Sequence, residues 1–200
     1  METTYKTIQA KRAIDFKEKG SKFIGLIAQC TDLDEVNEQL SKWKGEFPKA
    51  SHLCYAYNIG IQNAQMRAND DGEPSNSAGM PILGQIQAFD LTNTLIGVIR
   101  YYGGTNLGVG GLMQAYKNAA KMVIEVNEII EKEITETVRV YFSAAEMPFV
   151  MNDLKQMNLY FSNQQFNACC ALDIALPLSQ KFAFFQKMEM HESLTFEFLA

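Results

Sequence analysis

Residues 95–112 read LIGVIRYYGGTNLGVGGL, and this stretch decides how the first part of the chain folds. Its first eight residues are almost continuously apolar, which is typical of a strand buried in the centre of a sheet. Five glycines then lie between Tyr102 and an apolar stripe at helical spacing that begins at Leu112. We therefore expect a central strand, a glycine-rich turn and a long helix.

The other patterns before residue 130 place further elements around this core. Apolar residues alternate or recur at helical spacing, and Gly, Pro and Asp residues separate the segments. They predict a β-hairpin, a helix, a strand, a long polar loop and a second helix over residues 7–30, 33–45, 53–59, 62–76 and 78–89, with Thr31 or Asp32 as the N-cap of the first helix. A loop as long as the polar one is more often functional than idle.

The tail of the chain has the pattern of a second, small domain. From Val138 onward, strands and helices follow in the order βαββαβ, which is the order of ferredoxin-like folds. The charged stretch 125–136 is interpreted as a linker. The predicted fold class is α+β, with a first domain over residues 1–130 and a ferredoxin-like domain over residues 137–200.

Composition argues against several classes of protein. The 200 residues have a net charge of −5, and no apolar run is long enough to cross a bilayer. Four cysteines without C-x-x-C spacing and only two histidines argue against a zinc site. The N-terminus lacks the apolar core of a signal peptide, so we expect a cytoplasmic protein with no membrane partner.

One basic cluster stands out in this acidic chain. It lies in the hairpin region and consists of Lys6, Lys11, Arg12, Lys17, Lys19 and Lys22. Lys22 comes directly after the predicted turn. An acidic protein needs such a local cluster to contact phosphates, although a solvated hairpin carries lysines without any ligand.

The glycine-rich run is a candidate anion site. Between a strand and a helix, exposed backbone N–H groups and the helix dipole favour a phosphate. The run lacks the lysine of a Walker A motif, and tight packing is an alternative reason for the glycines. The candidate ligand-binding residues are Gly103, Gly104, Gly108, Gly110 and Gly111.

The polar loop contains the second candidate site, Asp70-Asp71-Gly72-Glu73-Pro74-Ser75. The carboxylates of Asp70, Asp71 and Glu73 could hold Mg²⁺ or Ca²⁺, although their spacing is not that of a calcium loop. Alternatively, they cap the next helix or pair with an arginine. The candidate N-caps of that helix are Ser75 and Ser77.

Two residues could join the two loops. His52 begins a strand with Cys54 on the same face, which allows a Cys/His nucleophilic pair or a buried, hydrogen-bonded histidine. Arg100 ends an apolar strand, and a guanidinium there requires a partner, either an acidic residue or a phosphate. The neighbouring aromatic residues could stack on bases or pack in the core; they are Tyr101, Tyr102 and Tyr116.

Four motifs follow one another between residues 20 and 116. They are Gly20-Ser21-Lys22-Phe23-Ile24, Ala50-Ser51-His52-Leu53-Cys54-Tyr55-Ala56-Tyr57, Asn69 to Ser75 with Ala78-Gly79, and Arg100-Tyr101-Tyr102-Gly103-Gly104 continuing to Ala115-Tyr116. This set resembles the YigZ/IMPACT family of conserved cytosolic proteins. The tail is similar in pattern to the small C-terminal domain of its bacterial members.

The resemblance implies a first domain similar to the second domain of a small-subunit ribosomal protein and to domain IV of elongation factor G. It implies a second domain similar to domain V of that factor. A eukaryotic member regulates translation initiation through an additional domain that has no counterpart in these residues. Asn76 and Gln114 depart from the family pattern, which often has glycine and arginine there.

Three functions are consistent with these residues. The first is a non-enzymatic RNA- or ribosome-associated module whose glycine-rich run, Arg100 and lysine hairpin contact phosphates. The second is a metal-assisted hydrolase, or a binder of a phosphorylated or nucleotide ligand, whose acidic run holds Mg²⁺. In the third, both loops are structural. We favour the first, because the sequence demonstrates neither a nucleophile–base pair nor a metal motif, and it identifies no cofactor.

Overall fold

The computed structural model describes residues 2–167 and 169–199. The chain divides into two compact units. The first is Tyr5–Lys132, and the second runs from Glu133 onward and includes residues 2–4. Both units are mixed α and β structures, which confirms the predicted two-domain α+β fold.

The first unit contains seven strands and three helices among its described residues. The strands are β1 (Thr4–Gln9), β2 (Ile14–Glu18), β3 (Ser21–Gln29), β4 (His52–Ile59), β5 (Gln65–Asn69), β6 (Thr94–Tyr101) and β7 (Glu128–Glu133). The helices are α1 (Leu33–Glu46), α2 (Gly79–Ala88) and α3 (Gly108–Glu125). Asp32 caps α1 by accepting a hydrogen bond from the Glu35 N–H, which is the geometry that the sequence predicts.

Strand β6 is the centre of a five-stranded sheet with the order β2-β3-β6-β4-β5. It pairs antiparallel with both β3 and β4 and is buried from Thr94 to Arg100. Its side chains alternate between two hydrophobic cores, with Ile96 and Val98 facing α2 and α3 and with Leu95 and Ile99 facing α1. Because helices cover both faces, the strand is continuously apolar, as predicted.

A glycine in β6 makes room for the only tryptophan of the chain. A Cβ atom added at Gly97 would lie 2.7 Å from Cζ3 of Trp43, whose indole packs on the sheet from α1. No real Cβ atom approaches a ring carbon that closely. Gly97 therefore sets the distance at which α1 packs on the sheet.

The second unit has the predicted order βαββαβ. Its elements are β8 (Thr135–Ser143), α4 (Met147–Gln156), β9 (Phe161–Phe166), β10 (Cys169–Pro177), α5 (Lys181–Met188) and β11 (Thr195–Leu199). The four strands form an antiparallel sheet in the order β11-β8-β10-β9, and both helices contribute to one core with Val140, Leu154 and Phe184. This is the strand order of a ferredoxin-like fold.

Three segments differ from the sequence-based expectations. The extended run 7–16 is divided between β1 and β2. The polar loop 62–76 contains β5, an edge strand with a single neighbour, in which Met66 and Ala68 alternate with polar residues over only five positions. The stretch interpreted as a linker, 125–136, contains β7, which pairs with β1 in a two-stranded sheet.

We predict that Gly97→Ala lowers the free energy of unfolding by about 2 kcal/mol, because the added methyl group overpacks the contact with Trp43. Urea denaturation measures the change. The control is Gly84→Ala in α2, where an added Cβ meets nothing within 4 Å and where alanine is the better helix former. Equal midpoints for the two variants would contradict the prediction.

Candidate functional site

Three loops of the first unit meet at one end of the five-stranded sheet. They are the hairpin turn (Lys19-Gly20), the acidic loop (residues 70–78) and the glycine loop (residues 102–107). The antiparallel register brings them together, since the start of β3, the start of β4 and the end of β6 lie side by side. We call this region the sheet-end site.

The hairpin turn and the glycine loop are in backbone contact. A Cβ atom at Gly103 would lie 1.9 Å from the carbonyl carbon of Gly20, so no side chain fits there. The hydroxyl of Ser21 accepts a hydrogen bond from the Gly103 N–H at 3.3 Å. Close packing is thus the reason for the glycine at position 103, as one of the two sequence-based interpretations proposed.

A buried ion pair joins the acidic loop to the sheet. The Arg100 Nη1 lies 2.5 Å from the Glu73 Oε1, and the side chains are only 6% and 4% exposed. The Tyr116 hydroxyl donates to the same carboxylate oxygen at 2.8 Å, and the Arg100 Nη2 donates to the Ser21 hydroxyl at 3.4 Å. Within the described part of the chain, the Arg100 Nε is buried without a hydrogen-bond partner. Arg100 was expected to meet an acid or a phosphate, and the structure assigns it to Glu73.

His52 and Asp71 attach the acidic loop to the first residues of β4. The His52 Nδ1 lies 2.7 Å from the carbonyl oxygen of Asp71, and the Asp71 carboxylate accepts from the Leu53 N–H at 2.7 Å. The His52 Nε2 is 3.9 Å from the Glu73 carboxylate. His52 is therefore a hydrogen-bonded structural histidine with a ring that is a quarter exposed.

Asp70 caps helix α2 in place of the serines. One of its carboxylate oxygens accepts from the N–H groups of Ala78 and Gly79 at 2.9 and 2.8 Å, and the other accepts from Asn76. Ser77 instead donates to a carbonyl of the loop, and Ser75 is exposed without a role at the helix start. The serine caps were a wrong prediction because the loop folds back and brings a charged acceptor, Asp70, to the helix start.

The three acidic side chains have separate partners. Asp70 binds the start of α2, Asp71 binds β4 and Glu73 binds Arg100 and Tyr116. The described residues include no group of three or more His, Cys, Asp and Glu side chains that could hold a metal ion. The geometry gives no support to a Mg²⁺ site formed by these carboxylates.

Cys54 lies next to this network but is not arranged as a nucleophile. Burial raises the pKa of its thiol to about 12, and the Sγ donates to the Asp70 carbonyl at 3.0 Å. Burial also raises the pKa of the Tyr116 hydroxyl above its usual value. Both groups stay protonated at neutral pH, which argues against the Cys/His pair considered from the sequence.

The outer surface of the site includes exposed backbone, lysines, one aromatic ring and the acidic residues Glu18 and Asp71. Gly103, Gly104, Gly108 and Gly110 are exposed, and the last two belong to the first turn of α3 together with the half-buried Gly111. Lys17 and Lys19 are exposed at the hairpin, while Lys22 pairs with Asp15 at 3.2 Å. Tyr102 is 55% exposed, whereas Tyr101 packs toward α1 on the opposite face of the sheet.

Sequence reasoning missed the contribution of serines to this site. Ser21 contacts both Arg100 and Gly103, and the Ser51 hydroxyl accepts from the Tyr102 N–H at 3.1 Å. Both serines lie at strand starts that face the end of β6. Both serines belong to the motifs quoted above, but a motif does not indicate the hydrogen bonds that its members form.

Comparisons with known proteins identify the family that the first part of the chain matches. A family model described as the Impact N-terminal domain matches residues 19–124. A Haemophilus influenzae protein described as an IMPACT family member is 38% identical over 128 residues, which are 62% of this chain and 61% of that protein. The chain thus spans about three fifths of the length of that relative.

Solved structures add a likeness in fold. A structure described as that of a hypothetical protein has a TM-score of 0.79 at 24% identity and covers 100% of this chain and 99% of its own. A structure described as the two-domain translational regulator Yih1 is 24% identical, covers 60% of this chain and 47% of its own, and has a TM-score of 0.38. No helix among the described residues is both long and apolar enough to cross a membrane.

We predict that Glu73→Gln lowers the free energy of unfolding by about 3 kcal/mol, because it leaves the buried Arg100 cation without a counter-charge. Urea denaturation at neutral pH measures the loss. The matched control is Glu38→Gln on the exposed side of α1, which should change stability by less than about 0.5 kcal/mol. Similar midpoints would show that the ion pair does not hold the loop.

We predict that one thiol reacts rapidly with Ellman's reagent in the native protein at pH 8. This thiol is Cys169, since Cys30, Cys54 and Cys170 are buried. At that pH only about one Cys54 side chain in ten thousand is a thiolate, and the fraction rises only as the pH approaches 12. Cys169→Ser should abolish the rapid reaction, whereas a rapid reaction that survives this change would make Cys54 a candidate nucleophile again.

Proposed function

This chain belongs to the IMPACT family, and from that premise we propose that it acts in translation as a non-enzymatic module that binds RNA at the sheet-end site. The RNA phosphates contact the hairpin turn, the glycine loop and the first turn of α3. The translational part of the proposal follows from the family resemblance, which includes a eukaryotic regulator of translation initiation. The cytosol is the proposed site of action.

The observation that carries the proposal is the backbone contact between Gly20 and Gly103. It places the lysines of the hairpin beside a run of exposed backbone that leads into a helix N-terminus. Lysines and backbone N–H groups are among the protein groups that contact phosphates without reading sequence. Neither group alone would make a site in a chain with a net charge of −5.

Two of the hairpin lysines are more accessible than the third. Lys22 forms an ion pair with Asp15 at 3.2 Å, while Lys17 and Lys19 are exposed. Each lysine that neutralises an RNA phosphate releases a counterion, which makes binding depend on salt. We assign the phosphate contacts to Lys17 and Lys19 in the first place.

The acidic loop has a supporting role in this proposal. Asp70, Asp71 and Glu73 hold the loop to α2, β4 and β6. The Glu73 carboxylate is buried and paired with Arg100, which keeps its charge away from phosphates at the surface, whereas Asp70 is half-buried and Asp71 is exposed. His52 and Arg100 position the loops, and we propose no direct contact between these two side chains and RNA.

The test is the salt dependence of RNA binding. We expect the double variant Lys17→Gln/Lys19→Asn to bind a fluorescent single-stranded RNA more weakly, with the slope of log K against log salt reduced by about 1.4 for two lost phosphate contacts. Fluorescence anisotropy over a salt series measures this slope. Asparagine suits position 19, whose φ angle is +45°.

The control variant Lys42→Gln/Lys155→Gln removes the same charge from two exposed positions, one on α1 and one on α4. It should leave the slope unchanged, because neither lysine belongs to the hairpin turn, the acidic loop or the glycine loop. If the wild-type protein does not bind RNA at low salt, or if both double variants lose the same slope, the proposed function is wrong.

A further inference from the structure

A column of stacked rings runs through the sheet-end site. Phe16 and Phe23 are stacked with centroids 5.3 Å apart and planes 14° from parallel. The guanidinium carbon of Arg100 lies 5.6 Å from the centroid of Phe23 and 5.5 Å from that of Tyr102. The order along the column is therefore Phe16, Phe23, Arg100 and Tyr102.

The inner end of the column is buried, and its outer end is exposed to solvent. Phe23 and Arg100 are buried, and the guanidinium is held at its edge by Glu73 and Ser21. Tyr102, the last member, is 55% exposed. An amphipathic ring with a fixed cation on one side and solvent on the other is typical of a surface that accepts a further π system.

The backbone around Tyr102 is also fixed. Its N–H donates to the Ser51 hydroxyl, and the next residue is Gly103, which is in contact with the hairpin turn. The glycine adds no side chain next to the Tyr102 ring. Because the backbone is fixed before a ligand binds, stacking on Tyr102 orders little of the main chain.

We propose that Tyr102 is a stacking platform for an unpaired base of single-stranded RNA. This inference rests on the proposed function and names the class of RNA that the site takes. A base stacked on Tyr102 extends the column by one member, while its flanking phosphates reach the glycine loop and Lys19. Tyr102 contacts the ligand directly, and Arg100 acts through Tyr102 as a positioning residue.

Single-stranded RNA fits this arrangement better than a duplex. Bases in an A-form duplex are stacked on each other, and the deep, narrow major groove keeps side chains away from them. An unpaired base has a free face for an aromatic side chain, and stacking tolerates any base because each one has a π face. The geometry therefore predicts that the site prefers single-stranded RNA to duplex RNA and accepts any base sequence.

The experiment compares three ligands of equal length by competition with a labelled RNA: an oligouridylate, an abasic oligomer of the same phosphate spacing, and an RNA duplex. We expect the oligouridylate to bind roughly tenfold more tightly than the abasic oligomer. Tyr102→Leu should remove this difference and leave the slope against salt unchanged, because the phosphate contacts remain. The matched control is Tyr160→Leu, which changes a tyrosine that is 80% exposed in the second unit.

A second variant tests stacking without relying on a loss of affinity. Tyr102→Trp should retain binding, and its fluorescence should be quenched by the oligouridylate and not by the abasic oligomer. The natural Trp43 is 5% exposed, so it contributes a constant background. Quenching by both oligomers would overturn the inference.

The two proposals fail in different ways. If wild-type protein binds oligouridylate, abasic oligomer and duplex equally and still loses affinity in Lys17→Gln/Lys19→Asn, the stacking platform is wrong and the proposed function holds. The platform is equally wrong if Tyr102→Leu and Tyr160→Leu bind oligouridylate alike. If no RNA binds at low salt, both proposals are wrong.

Discussion

The buried ion pair between Glu73 and Arg100 is the interaction on which the sheet-end site depends. Two charges with almost no solvent contact are costly unless each is paired and hydrogen-bonded. Tyr116 and Ser21 supply further hydrogen bonds to the two partners. The pair thereby joins the acidic loop, the central strand and helix α3, which are far apart in the sequence.

This constraint removes one charge of the acidic run from the surface. Asp70, Asp71 and Glu73 each bind a different part of the fold, and the Glu73 carboxylate is buried while Asp71 is exposed. The hairpin turn and the glycine loop present exposed lysines, glycine backbone and the ring of Tyr102. A chain that is acidic as a whole can in this way present a local surface suited to phosphates and bases.

The same pair fixes the cation that lies 5.5 Å from the centroid of the Tyr102 ring. Arg100 cannot leave the ring stack without abandoning Glu73, so the cation beneath the tyrosine is fixed. The stability of the fold and the proposed recognition of RNA therefore both depend on the Arg100 side chain. Arg100 is a residue for which lysine would be a poor replacement, because only a planar guanidinium can pair at its edge and stack on both faces.

The sequence by itself determined the elements whose signals are local. The apolar run of β6, the Asp32 cap of α1 and the βαββαβ order of the second unit are patterns within a few turns or strands, and the structure agrees with them. Only the tertiary structure decided that Arg100 pairs with Glu73, that Asp70 and not a serine caps α2, and that Tyr102 ends a stacked column. The residues that make these contacts are distant in the sequence: Asp70 and Ala78 are 8 positions apart, and Ser21 and Arg100 are 79 positions apart. Local periodicity contains no information about them, since the register of β3, β4 and β6 brings the partners together.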